Sequence, residues 1–378
     1  GFIYQITSLG EIQPFFEKYL VPLKKPTKPN VKGKVLINAD YIRIPEKIII
    51  KNFHRNNTII LSRSKVLNHL GLPNECIGNY KVNAKEASDS LINKAKMIFS
   101  KHKDHPAFGN SFFKEVFINR IPVIVETIST VFNLYEKLQI SSIVVGTTED
   151  ILSRTLAIVA SMVGIPSICL QHGILMGEEA FLPAFASVTA VYGAYEKKWY
   201  KARGLTDDRI ATIGHPRYDL IFTDSHPSKQ SFIGSFKLDS NKLTLLLVTG
   251  PNIDFNKFRK LIDLITADSR FQIIIKPHPW EIGKGKYNSY LQLKAQYKSI
   301  EVITNRNINT YDLLSNVDGV VTSLSTMALE GLLFNKPVFI YDFLVSNRSY
   351  DYFELLGEFV QSDPDLLFNK VSNYYSDP

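Results

Sequence analysis

Ile273-Ile274-Ile275-Lys276-Pro277-His278-Pro279-Trp280 is the stretch whose reading decides the fold. Three β-branched apolar residues run straight into Lys-Pro-His-Pro. A run of this length and composition reads as a buried strand rather than a helix. The prolines oppose helical continuation and hold the chain extended just past the strand end. Lys276 and His278 then sit on a stiff loop at the carboxyl end of a parallel strand, where open α/β sheets bind ligands. A cation and an imidazole held there suit a phosphate. The competing reading is a plain strand-end turn with a solvated lysine and histidine.

The pattern continues on both sides of this stretch. Upstream, 243–248 is a strand ending in Thr249-Gly250-Pro251, and 254–267 is a helix. Downstream come a helix at 287–297, a strand at 301–304, a helix at 309–316, a strand at 319–323, a helix opened by Ser325-Thr326, and a final strand at 337–341. Alternation of this kind predicts a doubly wound parallel sheet. An earlier series resembles it. Residues 141–145 form a strand, 151–163 a helix stopped by Gly164, and 165–170 a strand ending in Gln171-His172-Gly173. This is a βαβ unit, and such units cross over right-handed. Strands at 188–192 and 210–213 flank a helix at 194–203. Residues 224–242 are rich in Ser, Lys, Asp and Gly and read as an interdomain linker. The expected organisation is an amino-terminal domain over 1–223, a linker at 224–242, and a carboxyl-terminal domain over 243–378, two Rossmann-like α/β domains facing a central cleft. Within 1–140 the reading is sparser: Val35-Leu36-Ile37 and Ile48-Ile49-Ile50 as short strands, a helix at 84–100, and one or two helices over 111–138 interrupted by Pro122.

The 378 residues carry 45% hydrophobic and 21% charged side chains, the balance of a globular chain with room for two domains. No window offers the roughly 18 uninterrupted apolar residues of a membrane span, and Gly1-Phe2-Ile3 opens in mid-pattern without the basic start of a signal peptide. Two distant cysteines, Cys76 and Cys169, form neither a zinc pattern nor a disulfide framework and point to a reducing cytoplasm. A net charge of +8 favours anionic partners: a nucleotide, an acidic polymer or the anionic face of a membrane. No nucleic-acid module appears. The cluster Lys24, Lys25, Lys28, Lys32 and Lys34 reads equally as a solvated face or as a patch for the inner face of the cytoplasmic membrane.

Four constellations carry chemistry. Thr322-Ser323-Leu324-Ser325-Thr326 ends a strand and begins a helix, so its hydroxyls and the free N–H groups of the helix tip suit an anion. Glu330 follows on the same helix and could accept hydrogen bonds from ribose hydroxyls. The plainer reading makes Ser325 and Thr326 caps and Glu330 surface. Gln171-His172-Gly173 ends the βαβ unit: glycine there permits a sharp turn and close approach of a ligand, and His172 is a candidate general base or phosphate contact, or a structurally bonded turn residue. Glu149-Asp150 is a candidate base for an acceptor hydroxyl, or the cap and first-turn charge of helix 151–163. In Gly214-His215-Pro216-Arg217-Tyr218-Asp219, Arg217 could hold a phosphate bidentately, or the segment is a hinge turn. No Asp-x-Asp stands at a strand end to hold a divalent metal, so the reading assigns no metal and no cofactor. Glycine-rich dinucleotide and Walker loops are absent.

Gln171-His172-Gly173, the 214–219 segment, Lys276-Pro277-His278-Pro279 and Ser323-Leu324-Ser325-Thr326…Glu330…Lys336-Pro337 together resemble the bacterial surface-polysaccharide transferases of the GT-B fold, a group that includes capsule Kdo transferases, polysialyltransferases and CDP-glycerol glycerophosphotransferases. The resemblance spans roughly residues 141–342. It implies a nucleotide-activated donor, of CMP or CDP type, held by the carboxyl-terminal domain. His278 would face the donor phosphate, Ser323, Ser325 and Thr326 would contact it, and Glu330 would meet the nucleotide sugar. In sialyltransferase-like members an acidic motif supplies the base, and Glu149-Asp150 is the nearest equivalent. In the glycerophosphotransferases a His-Gly motif does so, and His172-Gly173 fits. The acceptor would be a glycan or lipid-linked glycan. Metal-independent sugar transfer, glycerophosphate transfer, nucleotide-sugar epimerisation and a catalytically idle scaffold are the competing functions.

Overall fold

The computed structural model describes residues 6–376 except 28–29, 66–67, 251–252, 306–307, 344 and 346–349. Gly1-Phe2-Ile3, Lys28 and Pro251 from the sequence reading lie outside them. The chain divides into two compact units, Gly1–Arg217 and Tyr218–Pro378.

The second unit is built on β9 (Leu243–Val248), β10 (Phe271–Lys276), β11 (Ile300–Val302), β12 (Gly319–Thr322), β13 (Val338–Tyr341) and β14 (Val360–Gln361). They pair in the order β11-β10-β9-β12-β13-β14, and every pairing is parallel. The first strand in sequence therefore lies in the middle, and the sheet grows outward first on one side and then on the other. That is the Rossmann order, and its switch point falls between β9 and β12. β9 and β10 are near-continuous apolar runs because a parallel strand is covered on both faces. Leu245, Leu247, Ile273 and Ile275 are wholly buried, and Phe258, Leu261, Ile262 and Ile265 of the helix Phe255–Ala267 pack against them. Phe271, Tyr290, Phe339 and Tyr341 complete this core.

The first unit holds β1 (Lys34–Asn38), β2 (Thr58–Ser62), β3 (Asn68–His69), β4 (Leu72–Cys76), β5 (Ile140–Val145), β6 (Ser167–Leu170), β7 (Val188–Val191) and β8 (Ile210–Thr212). The order is β3-β4-β2-β1-β5-β6-β7-β8. All pairings are parallel except that of β3 with β4 at the edge. Again the first strand is central, and the direction of growth reverses between β1 and β5.

The helix Ile151–Val163 has the bounds read from the sequence, and Gly164 ends it at φ 82°, the left-handed cap that costs glycine least. Three readings are corrected. Ile48-Ile49-Ile50 lies in the helix Glu46–Asn52, not in a strand. Only Ile49 of that helix is buried, with Glu46 in the first turn and Lys51 in the last, so packing of one face overrides β-branched propensity. Ser111–Lys137 is one helix containing Pro122. The proline sits in its solvated half, where water can satisfy the carbonyl that loses a partner. And Pro279 does not keep the chain extended: it opens the short helix Pro279–Gly283, a position where its missing N–H costs nothing. The stretch 224–242 contains the helix Lys229–Ser235, whose Phe232 and Ile233 are buried, and Asp239 exchanges hydrogen bonds with Gln272, so the segment packs as part of the second unit.

Phe258 touches both Tyr290 and Tyr341 in the second core. Phe258→Ala is expected to destabilise the second unit by about 3–5 kcal/mol, read as a lowered urea midpoint of its unfolding transition. A shift below about 1 kcal/mol would show that this core is not the one holding the unit together.

Candidate functional site

In the second unit the predicted residues gather at the carboxyl ends of β10, β9 and β12. β10 ends in Lys276, which pairs with Val248 of β9. The backbone N–H of Thr249 donates to the Lys276 carbonyl at 3.1 Å. Beyond it, the His278 N–H donates to Thr249 Oγ1 at 3.1 Å and to Glu281 Oε2 at 2.9 Å. Thr249 Oγ1 in turn donates to the Glu281 carboxylate, and Tyr290 donates from its hydroxyl to Glu281 Oε1 at 2.8 Å. Glu281 is buried, so this carboxylate is stable only because three donors converge on it. The result is a rigid turn. His278 caps the following helix, its Nδ1 accepting from the Trp280 N–H at 3.2 Å. An accepting Nδ1 puts the proton of the neutral ring on Nε2. The ring itself is exposed.

On the other flank, Ser325 caps the helix Thr326–Leu333, its Oγ accepting from the Met327 N–H at 3.1 Å and lying 3.3 Å from Thr322 Oγ1. Ser323 is placed differently from its prediction. It is buried, turned towards the Tyr341 hydroxyl. A Cβ on Gly250 would come within 2.8 Å of its Oγ. There it seats the β9 loop. Only Thr249 and Gly250 thus separate the His278 turn from the Ser323–Thr326 turn.

Burial pushes the Lys276 ammonium below its ordinary range, and nearby Glu330, itself buried on the helix after β12, draws it part of the way back. Lys276 is thus a partly desolvated cation at the carboxyl end of β10, next to β9, with a buried carboxylate in electrostatic reach. Lys336 of the same motif is spent elsewhere, donating to the Ser315 carbonyl at 3.0 Å. Beside Leu324, at the ends of β12 and β13, a cavity of about 400 Å³ is lined by Asp342, Tyr350, Asp351, Phe353 and Glu354. Nothing in the reading of the sequence pointed to it, because its walls come from a loop without periodicity.

In the first unit the arrangement centres on a loop that the sequence reading passed over. Tyr41 and Arg43, just after β1, have φ of 59° and 50°. Such backbone costs roughly 1–3 kcal/mol per residue and persists only where the surroundings enforce it. Three neighbours do so. Gly146, after β5, lies so close that an added Cβ would come within 2.2 Å of the Tyr41 carbonyl. His172 bonds the Gly146 backbone and His215 the Ile42 backbone. Arg43 Nη1 donates to the His172 carbonyl at 2.6 Å. The His172 ring stacks on Phe181, 5.3 Å between centroids, and meets Tyr41 edge-on. Burial and the Arg43 charge hold His172 at a pKa of about 4; burial, Arg217 and Arg43 do the same to His215. Both imidazoles are neutral at pH 7. Arg43, absent from the sequence motifs, thus joins His172 and His215 of the 214–219 segment in one cluster. Arg217 lies near His215, which accepts from the Arg217 backbone N–H through Nδ1 at 3.1 Å.

The other candidates sort by geometry. Asp150 Oδ1 caps the helix Ile151–Val163 through the Leu152 and Ser153 N–H groups at 3.0 and 3.1 Å. Its Oδ2 is buried, while Oδ1 also lies 3.7 Å from Arg63 Nη2. Glu149 is exposed. Gln171 is a brace: buried, it donates to the Gly173 carbonyl at 2.7 Å and accepts from the Tyr192 N–H at 3.2 Å. Gly173 does not take a positive φ, so its turn does not require glycine. The space beside its Cα is open, which keeps the close-approach role.

Residues 261–342 match the family model for capsule polysaccharide biosynthesis proteins. That span holds the Lys276 turn, the Ser325 helix and Asp342. Among solved structures, UDP-GlcNAc 2-epimerase from Neisseria meningitidis bound to UDP-GlcNAc is similar at a TM-score of 0.56 and 12% identity, over 91% of this chain and 92% of that one. Anabaena HepE in complex with UDP-glucose gives 0.55 and 12%, over 91% and 90%. A glycosyltransferase from Rickettsia africae gives 0.55 and 11%, over 92% and 89%. No curated protein matches the chain. The two-unit GT-B fold is what this chain shares with these structures, and the capsule-biosynthesis match covers part of its second unit. At these identities the likeness to the solved structures is one of fold. Within each unit the cluster lies near the place where that unit's own sheet reverses direction, which brings together residues far apart in its sequence.

Two outcomes check this geometry. The unfolded chain binds protons at His172 and His215 below pH 6.5, whereas the folded unit refuses them until about pH 4. Stability of the first unit is therefore expected to fall as pH drops through that window. Urea titrations at pH 7 and pH 5 should show the loss, and His172→Asn with His215→Asn should flatten it. Gly146→Ala should displace the Tyr41–Arg43 loop at a cost of about 1–3 kcal/mol. Wild-type stability in that variant would mean the loop is not held by Gly146.

Proposed function

We propose that the protein is a glycosyltransferase that moves a sugar from a nucleotide-activated donor to a surface-polysaccharide acceptor. The observation that carries this reading is the desolvated Lys276, at the end of β10 next to β9, within electrostatic reach of Glu330 on the helix after β12. Breaking a sugar–phosphate bond builds negative charge on the departing phosphate. Lys276, the Nε2–H of His278 and the N–H groups at the tip of the helix Thr326–Leu333 stabilise that charge, each positioned beforehand by the turn network. Glu330 takes the ribose hydroxyls. The acidic cavity beside Leu324 repels phosphate and suits the hydroxyl-bearing part of the donor. Charge stabilisation by these groups makes the transfer metal-independent.

The base comes from the first unit. Glu149, exposed, and His172, neutral at pH 7, are both able to accept the proton of an acceptor hydroxyl. Asp150 caps the helix Ile151–Val163 and stays a third candidate, since a cap can also be a base. A donor of CMP or CDP type is the reading from the sequence motifs. The Neisseria and Anabaena proteins were seen with UDP-GlcNAc and UDP-glucose, so a uridine donor belongs in the same test.

A panel of CMP-, CDP- and UDP-activated donors, incubated with acceptor glycan, should release one nucleotide. Lys276→Met and His278→Ala should each lower that rate by about 10²–10³, and EDTA should leave it unchanged. Glu330→Gln should weaken nucleotide binding about tenfold by calorimetry. A product with an altered sugar still attached to its nucleotide would make the protein an epimerase, and release of cytidine nucleotide with glycerol phosphate transferred would make it a glycerophosphotransferase.

A further inference from the structure

The helices Lys85–Lys101 and Ser111–Lys137 pack against each other in the first unit. In the second helix, Thr130, Val131 and Leu134 are buried in the core. The same face runs on towards the amino end through Phe112, Val116, Arg120 and Val123, spaced four, four and three residues apart, and through Phe113, Phe117 and Ile124 beside them. There the sheet no longer covers it. Phe112 is 75% exposed, and Val116, Phe117, Val123 and Ile124 all lie above 40%. On the first helix, Leu91, Lys94, Ile98 and Lys101 recur at three, four and three residues, with Leu91 and Ile98 exposed and Met97 beside them at 71%. Exposed apolar rows of this kind mark a binding face.

Phe113 and Phe117 pack on Phe99 and hold the two helices together, so the outward residues are not needed for the pairing. Over residues 90–125 the basic side chains are Lys94, Lys96, Lys101, Lys103, Lys114 and Arg120, against Asp104 and Glu115. A second copy docked on this face would bring like charges together. An anionic bilayer would not: its acyl boundary takes the apolar row while its headgroups take the lysines and Arg120. Among the described residues no helix is long and apolar enough to cross a membrane, so the pair would lie in the interface.

We infer that the exposed face of the helices Lys85–Lys101 and Ser111–Lys137 docks the protein on an anionic lipid surface. The docking is independent of the donor chemistry, and it uses a different surface from the Lys24–Lys34 cluster. Flotation with phosphatidylcholine vesicles, with and without phosphatidylglycerol, tests it. The wild-type chain should float with the anionic vesicles and not with the neutral ones. Lys94→Glu with Lys101→Glu and Arg120→Glu should weaken binding roughly a hundredfold. Phe112→Ser with Val123→Ser and Ile124→Ser should weaken it at least tenfold while circular dichroism stays unchanged. Lys25→Glu with Lys32→Glu should leave it within about twofold. No flotation of the wild type, equal flotation of all variants, or a lipid-free dimer in sedimentation that the apolar variant abolishes would each overturn the proposal.

Discussion

A single buried carboxylate organises the ligand edge of the second unit. Glu281 receives the Thr249 hydroxyl, the His278 backbone N–H and the Tyr290 hydroxyl. Each donor belongs to a different element: the end of β9, the turn after β10, and the helix Asn288–Gln296. Removing the carboxylate would leave these donors unsatisfied in a dry site, which costs more than the bonds are worth in water. The network therefore locks the β10 turn to the β9 loop. It also explains how an exposed histidine on a proline-rich turn has a defined orientation.

Polar order of this kind is only possible over a firm floor. The parallel strands beneath are buried on both faces, and their apolar side chains leave no competing partners for Glu281. The hydroxyl turn after β12 rests on the same floor from the other side, through Ser323 against Tyr341 and Gly250. Lys276 and Glu330 then meet between two turns that are each immobilised. The Glu330 charge offsets part of the desolvation of the Lys276 ammonium.

The first unit solves a similar problem with backbone strain instead of a buried carboxylate. Close approach of Gly146 forces the Tyr41–Arg43 loop into the left-handed region, and two neutral imidazoles pin it. None of this was legible in residues 1–140, where the reading stopped at short apolar runs. Positive φ at a tyrosine and an arginine has no sequence signature, and neither does a steric contact between residues 41 and 146. Legible signals were local ones: Gly164 as a cap, Asp150 and Ser325 at helix starts, and the uninterrupted β9 and β10. Gln171 and Ser323 turn inward, towards the Gly173 carbonyl and Tyr192 N–H and towards Tyr341. Each sits next to a candidate ligand group, and adjacency along the chain does not say which way a side chain turns.

The sequence by itself determined the alternation of strand and helix, the bounds of the helix Ile151–Val163 and of β9 and β10, and the residue types available to meet a phosphate. These follow from hydrophobic periodicity and from the chemistry of glycine, proline and capping side chains, all of which act over a few residues. Tertiary structure alone decided the strand order, and with it the switch points that bring Lys276 near Glu330 and Arg43 near His172 and His215. It also decided which carboxylate caps a helix and which faces water. Those outcomes depend on which strands become neighbours, and strand pairing is a contact between residues far apart in the chain, written in no single stretch of it.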